Sequence, residues 1–225
     1  MSTEELDIFS RHSGLVDAER LKHTVVDIVG CGGIGSWTAL TLAKLGVGTI
    51  RIHDMDEVGA ENVGTQLFGP EDIGEPKASA TARLIERLSG VLVEPSDEEL
   101  TVDFEPQPSN VAILAVDSIR TRAKLYRSFK SATELVIDPR MGGTSTCVWV
   151  VDPSLEHEDY LKEGLFTDRA EPIPCTRKAA MFTTQGTAAS IANIVTAWAA
   201  DEPLPRRIVN DYSGFLQGVS YGETE

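Results

Sequence analysis

The sequence predicts an α/β fold, Rossmann-like and doubly wound, with a mainly parallel sheet and antiparallel strands at its C-terminal end. Three observations predict it. A β-branched run, His23 to Val29, passes directly into a glycine turn and then a helix. Strand and helix patterns go on alternating through Asp138, as a parallel sheet requires. Gly142-Gly143 then separates two apolar runs and reverses the chain between them.

The elements follow in order. Glu4 to Phe9 and Asp17 to Lys22 read as short helices. His23 to Val29 (HTVVDIV) reads as a buried strand, and Ser36 to Leu45 as a helix that Gly46 ends. Thr49 to His53 is a strand, Lys77 to Leu88 a helix and Val91 to Glu94 a strand. Pro95 to Asn110 is a loop with room for a short strand. Val111 to Val116 is a strand with Asp117 at its end, and Ser118 to Lys130 is a helix. Strands follow at Glu134 to Asp138 and Thr144 to Val151, and a helix at Leu155 to Glu163. Ala179 to Ala200 carries no charge and is long enough for a membrane span. Its four threonines, Gln185, Ser190 and Asn193 instead mark a small-residue helix buried against the sheet. Arg206 to Val209 reads as a last strand.

Without a linker, repeat or low-complexity tract, the 225 residues read as a single domain, residues 1–225. With 41% hydrophobic residues they can bury a sizeable core. Lys and Arg number 20 against 35 Asp and Glu, a net charge of −15. Such a chain is a poor general binder of nucleic acid or anionic lipid. Met1 to Asp7 is polar and acidic, unlike a signal peptide, so the expected location is cytoplasmic with reduced thiols. Three cysteines with no paired spacing argue against a disulfide framework, and no C-x-x-C pair marks a zinc site.

The chemistry begins at Gly30-Cys31-Gly32-Gly33-Ile34-Gly35. Missing side chains at Gly30, Gly32, Gly33 and Gly35 let backbone approach phosphates, and a helix N-terminus offers N–H groups and partial positive charge. Asp54 lies 24 positions after Gly30, near the spacing of an acid that bonds a ribose hydroxyl. To this point the pattern suits NAD as well as ATP.

The next residues separate the two. Asp54-Met55-Asp56-Glu57-Val58, Asn62, Gln66 and Asp72-Ile73-Gly74-Glu75-Pro76-Lys77, followed by Asp117 and Arg122, resemble the ubiquitin-activating, ThiF/MoeB/HesA superfamily of adenylyltransferases. The resemblance runs from about Phe9 to Ile208. It implies ATP as cosubstrate, with ribose on Asp54, phosphates among Asn62, position 65 and Lys77, Asp56 and Gln66 also in the cofactor site, and magnesium on Asp117. It implies attack of a carboxylate on the α-phosphorus, giving an acyl adenylate and pyrophosphate. The expected carboxylate is the C-terminal glycine of a ubiquitin-like or sulfur-carrier protein. A peptide terminus, a modified tRNA base, or a catalytically weakened partner subunit are the alternatives.

Two departures qualify the resemblance. Thr65 stands where the family has Arg, and a hydroxyl neither neutralises a phosphate nor forks onto two oxygens. Arg11, Arg120 and Arg140 are the replacement cations considered. Phe9-Ser10-Arg11-His12 resembles the family's N-terminal segment that reaches a neighbouring subunit's site, which implies a homodimer or heterodimer. Ser118 replaces the Asn that follows the magnesium Asp. Finally, Pro174-Cys175-Thr176 resembles the loop that carries the thioester cysteine of ubiquitin activators. Arg177 and Lys178 would lower that thiol's pKa, so Cys175 is the expected acceptor, against an inert loop cysteine.

Overall fold

The computed structural model describes residues 9–12, 14–101, 104–155, 157–165 and 180–221. Their strands form one sheet of eight, β1 (Val25–Val29), β2 (Thr49–His53), β3 (Glu94–Ser96), β4 (Ser109–Leu114), β5 (Thr133–Gly142), β6 (Ser145–Val151), β7 (Arg207–Asp211) and β8 (Leu216–Ser220). The spatial order is β3-β2-β1-β4-β5-β6-β7-β8. The first five are parallel, and β6, β7 and β8 pair antiparallel. The expected architecture is therefore observed.

Alternation along each strand builds two cores. Val26, Ile28, Ile50, Ile52, Val111, Ile113, Leu135 and Ile137 face one side. They pack under α1 (Ala18–Lys22), α2 (Gly35–Leu45), α3 (Lys77–Ser89) and α5 (Met181–Ala199). Val29, Ala112, Leu114, Val136 and Trp149 face the other side, under α4 (Ile119–Phe129) and a π-helical turn, Tyr160–Leu165. Right-handed crossovers explain the division. The chain steps outward in one direction from β1 to β3, then in the other from β4 to β5, so α4 lands on the opposite face. That reversal opens a crevice beyond the C-terminal ends of β1 and β4, where ligands of such sheets bind.

Local chemistry sets the helix ends. Asp17 caps α1 through the Arg20 amide at 2.9 Å, and Ser118 caps α4 through the Thr121 amide at 3.2 Å. Gly46 closes α2 in a left-handed conformation with φ 90°. Helix α5 is apolar and small-residued, as expected, and among the described residues no helix is long and apolar enough to cross a membrane.

Several boundaries differ from expectation. The strand expected at Val91 to Glu94 lies at Glu94–Ser96, because register with Arg51–His53 selects those residues. Val91 and Val93 instead pack against the larger core. Strand β4 ends at Leu114, so Asp117 sits three residues beyond it. Strand β5 continues to Gly142, paired with β6 along its whole second half. The helix expected at Leu155 to Glu163 is mostly the π-helical turn. Strand β7 is not the last, since β8 extends the sheet with all five residues exposed. Glu4 to Ile8 lie outside the described residues.

Candidate nucleotide-binding site

The glycine turn sits in the crevice at the reversal of strand order, and its glycines do different work. Gly30 has φ 96°, and a Cβ there would meet the Ala115 carbonyl oxygen at 2.7 Å. The turn after β1 therefore packs directly on the residues leading from β4 to Asp117. A Cβ on Gly35 would lie 1.7 Å from the Gly30 oxygen, so its absence lets α2 close against the turn. A Cβ on Gly33 would meet the Thr184 methyl at 2.9 Å. Only Gly32 of the four faces open space, with nothing within 4 Å. No side chain caps the N-terminus of α2; the Ser36 amide is spent on the Gly32 carbonyl at 3.1 Å, and the neighbouring turn amides offer N–H groups to a ligand.

Asp54 leaves the end of β2 beside this turn. Its two carboxylate oxygens accept the backbone amides of Cys31 and, at 2.9 Å, Asp56. Burial pushes its pKa above the ordinary carboxylate value, while the two amides and Lys77 pull it down. The carboxylate is thus anchored from behind and keeps lone pairs for a ribose hydroxyl.

Lys77 is the first residue of α3 and is brought over Asp54–Asp56 by a short antiparallel contact. The Val58 amide donates to the Glu75 carbonyl, the Gly74 amide to Val58, and the Lys77 amide to Asp56. Lys77 Nζ meets Asp56 Oδ2 at 2.8 Å; the Lys77 side chain is nearly buried and Asp56 is 59% exposed. Asp72 is fully buried, accepts the Gly69 amide and pairs with Arg83, so it shapes the turn instead of facing a ligand.

The segment between is folded onto α2. Trp37 Nε1 donates to the Thr65 carbonyl at 3.1 Å, and the Leu67 amide donates to Ser36 Oγ at 3.2 Å. This sets Thr65 and Gln66 beside the glycine turn. Asn62 spends its side-chain oxygen on the Gly59 amide. Gln66 Oε1 is buried with no partner. Since a side-chain amide can turn end for end, this group can present either an acceptor or an NH2 donor to a ligand. Open backbone at Gly32, an uncapped helix start, an anchored acid and an orphaned amide fit a nucleotide with its phosphates on the turn. Asp117, exposed beyond β4, fits a magnesium ligand, and Ser118, not Asp117, caps α4. No group of three or more His, Cys, Asp or Glu positioned for a metal occurs among the described residues, so magnesium would share phosphate and water ligands.

The three replacement cations separate cleanly. Arg11 is not brought to this site in its own chain. His12 contacts the Lys44 carbonyl and Phe9 lies against Gly46, so Arg11 sits at the opposite end of α2, about 15 Å of helix from the glycine turn. Arg140 is bound to Asp138 at 2.6 Å on the far side of the sheet. Arg120 is exposed in the first turn of α4, on the same edge as Asp117.

Sequence reasoning missed a buried hub beneath the Asp117 turn. Asp138 is fully buried and accepts from Arg122, Arg140 and, at 3.0 Å, the Tyr160 hydroxyl. Arg122 also donates to the Leu114 and Val116 carbonyls, fixing the backbone just before Asp117. Burial lowers the Arg122 pKa and raises that of Tyr160, and the Asp138 charge holds the guanidinium protonated. The one available signal was Arg122 itself, recurring at the family offset. Of the cysteines, Cys31 is fully buried and burial raises its thiol pKa strongly. Cys147 is half-buried and likewise raised. Cys175, with Arg177 and Lys178, lies outside the described residues.

Comparison with known proteins gives the family and supports the fold. The ThiF family model matches residues 6–212. The chain belongs to the ThiF family. Among curated relatives, the sulfur carrier protein adenylyltransferase of Thermus thermophilus is 33% identical over 129 residues, covering 53% of this chain and 48% of the relative. The NEDD8-activating enzyme E1 catalytic subunit of Arabidopsis thaliana is 34% identical over 136 residues, covering 53% and 30%. The tRNA threonylcarbamoyladenosine dehydratase of Escherichia coli is 36% identical over 109 residues, covering 44% and 39%. This ThiF-family chain thus matches less than half the length of each. The E. coli MccB structure with AMPCPP and MccA superposes at TM-score 0.77 with 18% identity, covering 98% of this chain and 74% of MccB. PaaA gives the same score at 21% identity. These two support the fold.

Proposed function

We propose that this ThiF-family chain adenylates a carboxylate with Mg-ATP, and that the carboxylate is the C-terminal glycine of a ubiquitin-like or sulfur-carrier protein. The observation that carries the reading is the convergence, in one crevice, of open backbone at Gly32, the uncapped start of α2, anchored Asp54 and nearly buried Lys77. In this reading the ribose bonds Asp54, and Gly32 and Gly33 amides with Lys77 offset phosphate charge. Asn62, Thr65 and Gln66 line the phosphate path, Asp56 orients Lys77, and Asp117 holds the metal. A carboxylate oxygen of the carrier bonds the α-phosphorus, the bond to the bridging oxygen breaks, and pyrophosphate leaves with its electron pair. The protein's work is alignment and charge neutralisation. Names of relatives that act on sulfur carriers and NEDD8 support the carrier class.

Cys175 then takes the acyl group as a thioester with release of AMP. Arg11 acts from a second subunit, because its own chain holds it at the wrong end of α2. Similarity to MccB keeps a peptide terminus as the second reading. Pyrophosphate exchange with ATP, run with carrier proteins and with a peptide, tests the assignment, and intact mass detects adenylate and thioester. Cys175→Ala should retain adenylate and lose the thiol-sensitive conjugate. Arg11→Ala should be severe and Thr65→Arg without gain if the cation comes from a partner. No exchange in wild type or Thr65→Arg, with every acceptor tried, would leave a nucleotide-binding partner subunit as the function.

A further inference from the structure

Helix α4 carries Arg120, Lys124 and Arg127 at i, i+4 and i+7, with Lys130 following, and no acidic residue in the helix. All four are exposed. None makes an ion pair with another described residue. In a chain of net charge −15, a cationic stripe with no ion-pair partner among the described residues is a marked local reversal of sign. Beside it runs a groove of about 540 Å³ between α4 and Pro153, Leu155, His157, Glu158, Leu161 and Leu165. Its floor and walls include Ala123, Tyr126, Leu155 and Leu161, and Arg127 and Lys130 form its rim. Leu155 is 63% exposed and Leu161 37%. Among the described lining residues the one acid is Glu158, which pairs with Lys162.

We infer that this groove docks an acidic, amphipathic segment of a partner protein, its carboxylates on Lys124, Arg127 and Lys130 and its apolar side chains over Leu155 and Leu161. Charge complementarity selects the partner. A polyanion such as RNA would meet the stripe but leave the apolar groove unfilled. An amphipathic segment uses both halves of the surface. The groove lies on the sheet face opposite α2, α3 and α5. The inference therefore stands apart from the ATP reading.

The test uses the full chain and a fluorescein-labelled amphipathic peptide of Glu and Leu at helical spacing, followed by anisotropy. Binding should weaken as salt rises, since exposed pairs are screened over about 8 Å at physiological ionic strength. Lys124→Glu with Arg127→Glu should lower affinity about tenfold or more, and Leu155→Ser should lower it independently. ATP affinity should be unchanged in all three substitutions, which separates this inference from the adenylation reading. Equal binding of the peptide with Leu replaced by Ser, or of a Lys-for-Glu counterpart, would overturn it. So would phosphatidylserine vesicles or single-stranded RNA that bind more tightly and lose binding in the double variant. Wild-type dimers that the double variant dissociates would assign the surface to a second copy of this chain and equally overturn it.

Discussion

Replacing Lys77 by Met separates what this residue does for the fold from what it does for a nucleotide. Met keeps most of the aliphatic stem that the nearly buried Lys77 packs, and removes only the ammonium. The lost ion pair is with Asp56, whose side chain is 59% exposed, so solvent already screens it. Such pairs are worth about 0–1 kcal/mol. For a chain of this length, 1 kcal/mol moves Tm by about 2–4 °C, so the variant should melt within about 4 °C of wild type. A preorganised cation at a reacting phosphate is worth about 100- to 1,000-fold in rate, or about 2.7–4 kcal/mol in the transition state. Thermal melting with ATP titration and pyrophosphate exchange reads both effects on one preparation. Exchange and ATP affinity within about threefold of wild type, at unchanged Tm, would remove Lys77 from the site. A melt lowered by more than about 10 °C would mean that the ammonium holds the fold, against the exposure of its partner.

The other predictions follow the same contrast between support and chemistry. Gly35→Ala puts a Cβ 1.7 Å from the Gly30 oxygen and should destabilise by about 3 kcal/mol or more, measured by urea unfolding. Gly32→Ala meets nothing within 4 Å, so the fold should persist while calorimetry shows ATP affinity lowered by about tenfold. Asp54 has a pKa raised above 3.8 by burial, so the folded state holds this proton more tightly than the unfolded chain does. Stability from this group therefore declines as pH rises through and above that value. Asp54→Asn should accordingly gain on wild type in urea melts as pH rises over that window, and should weaken ATP binding throughout the neutral range. Asp138→Ala strips the buried Arg122 of its carboxylate and should cost about 3–5 kcal/mol. Tyr160→Phe, which removes one hydrogen bond to a charged acceptor, should cost about 1.5–3 kcal/mol by the same measurement.

By itself the sequence determined the layered architecture and which residues of the candidate site lie together, because both are written in contiguous residues. Strand β1, the glycine turn and α2 form one uninterrupted stretch, and chain geometry alone places Asp54 at the next strand end. The spacing from Asp72 to Lys77 has a local cause as well. Asp72 shapes a turn, Gly74 takes φ 89°, and Lys77 emerges at the first position of α3. Where local pattern was weak, boundaries moved. Strand β8 has no buried face to impose alternation, so its residues carry no strand signal and only pairing with β7 makes them one. Strand β3 took its position from the register of β2. The tertiary structure alone decided which distant groups meet. Arg122, Asp138 and Tyr160 are 16 and 22 positions apart, lie on a helix, a strand and a π-helical turn, and share no periodicity. Their contact exists because burying a carboxylate requires donors from whatever elements pack around it. The same holds for Arg11. Its motif suggested a cation for a neighbouring subunit's site, and only the packing of Phe9 and His12 against the far end of α2 decided that it stays away from the site of its own chain.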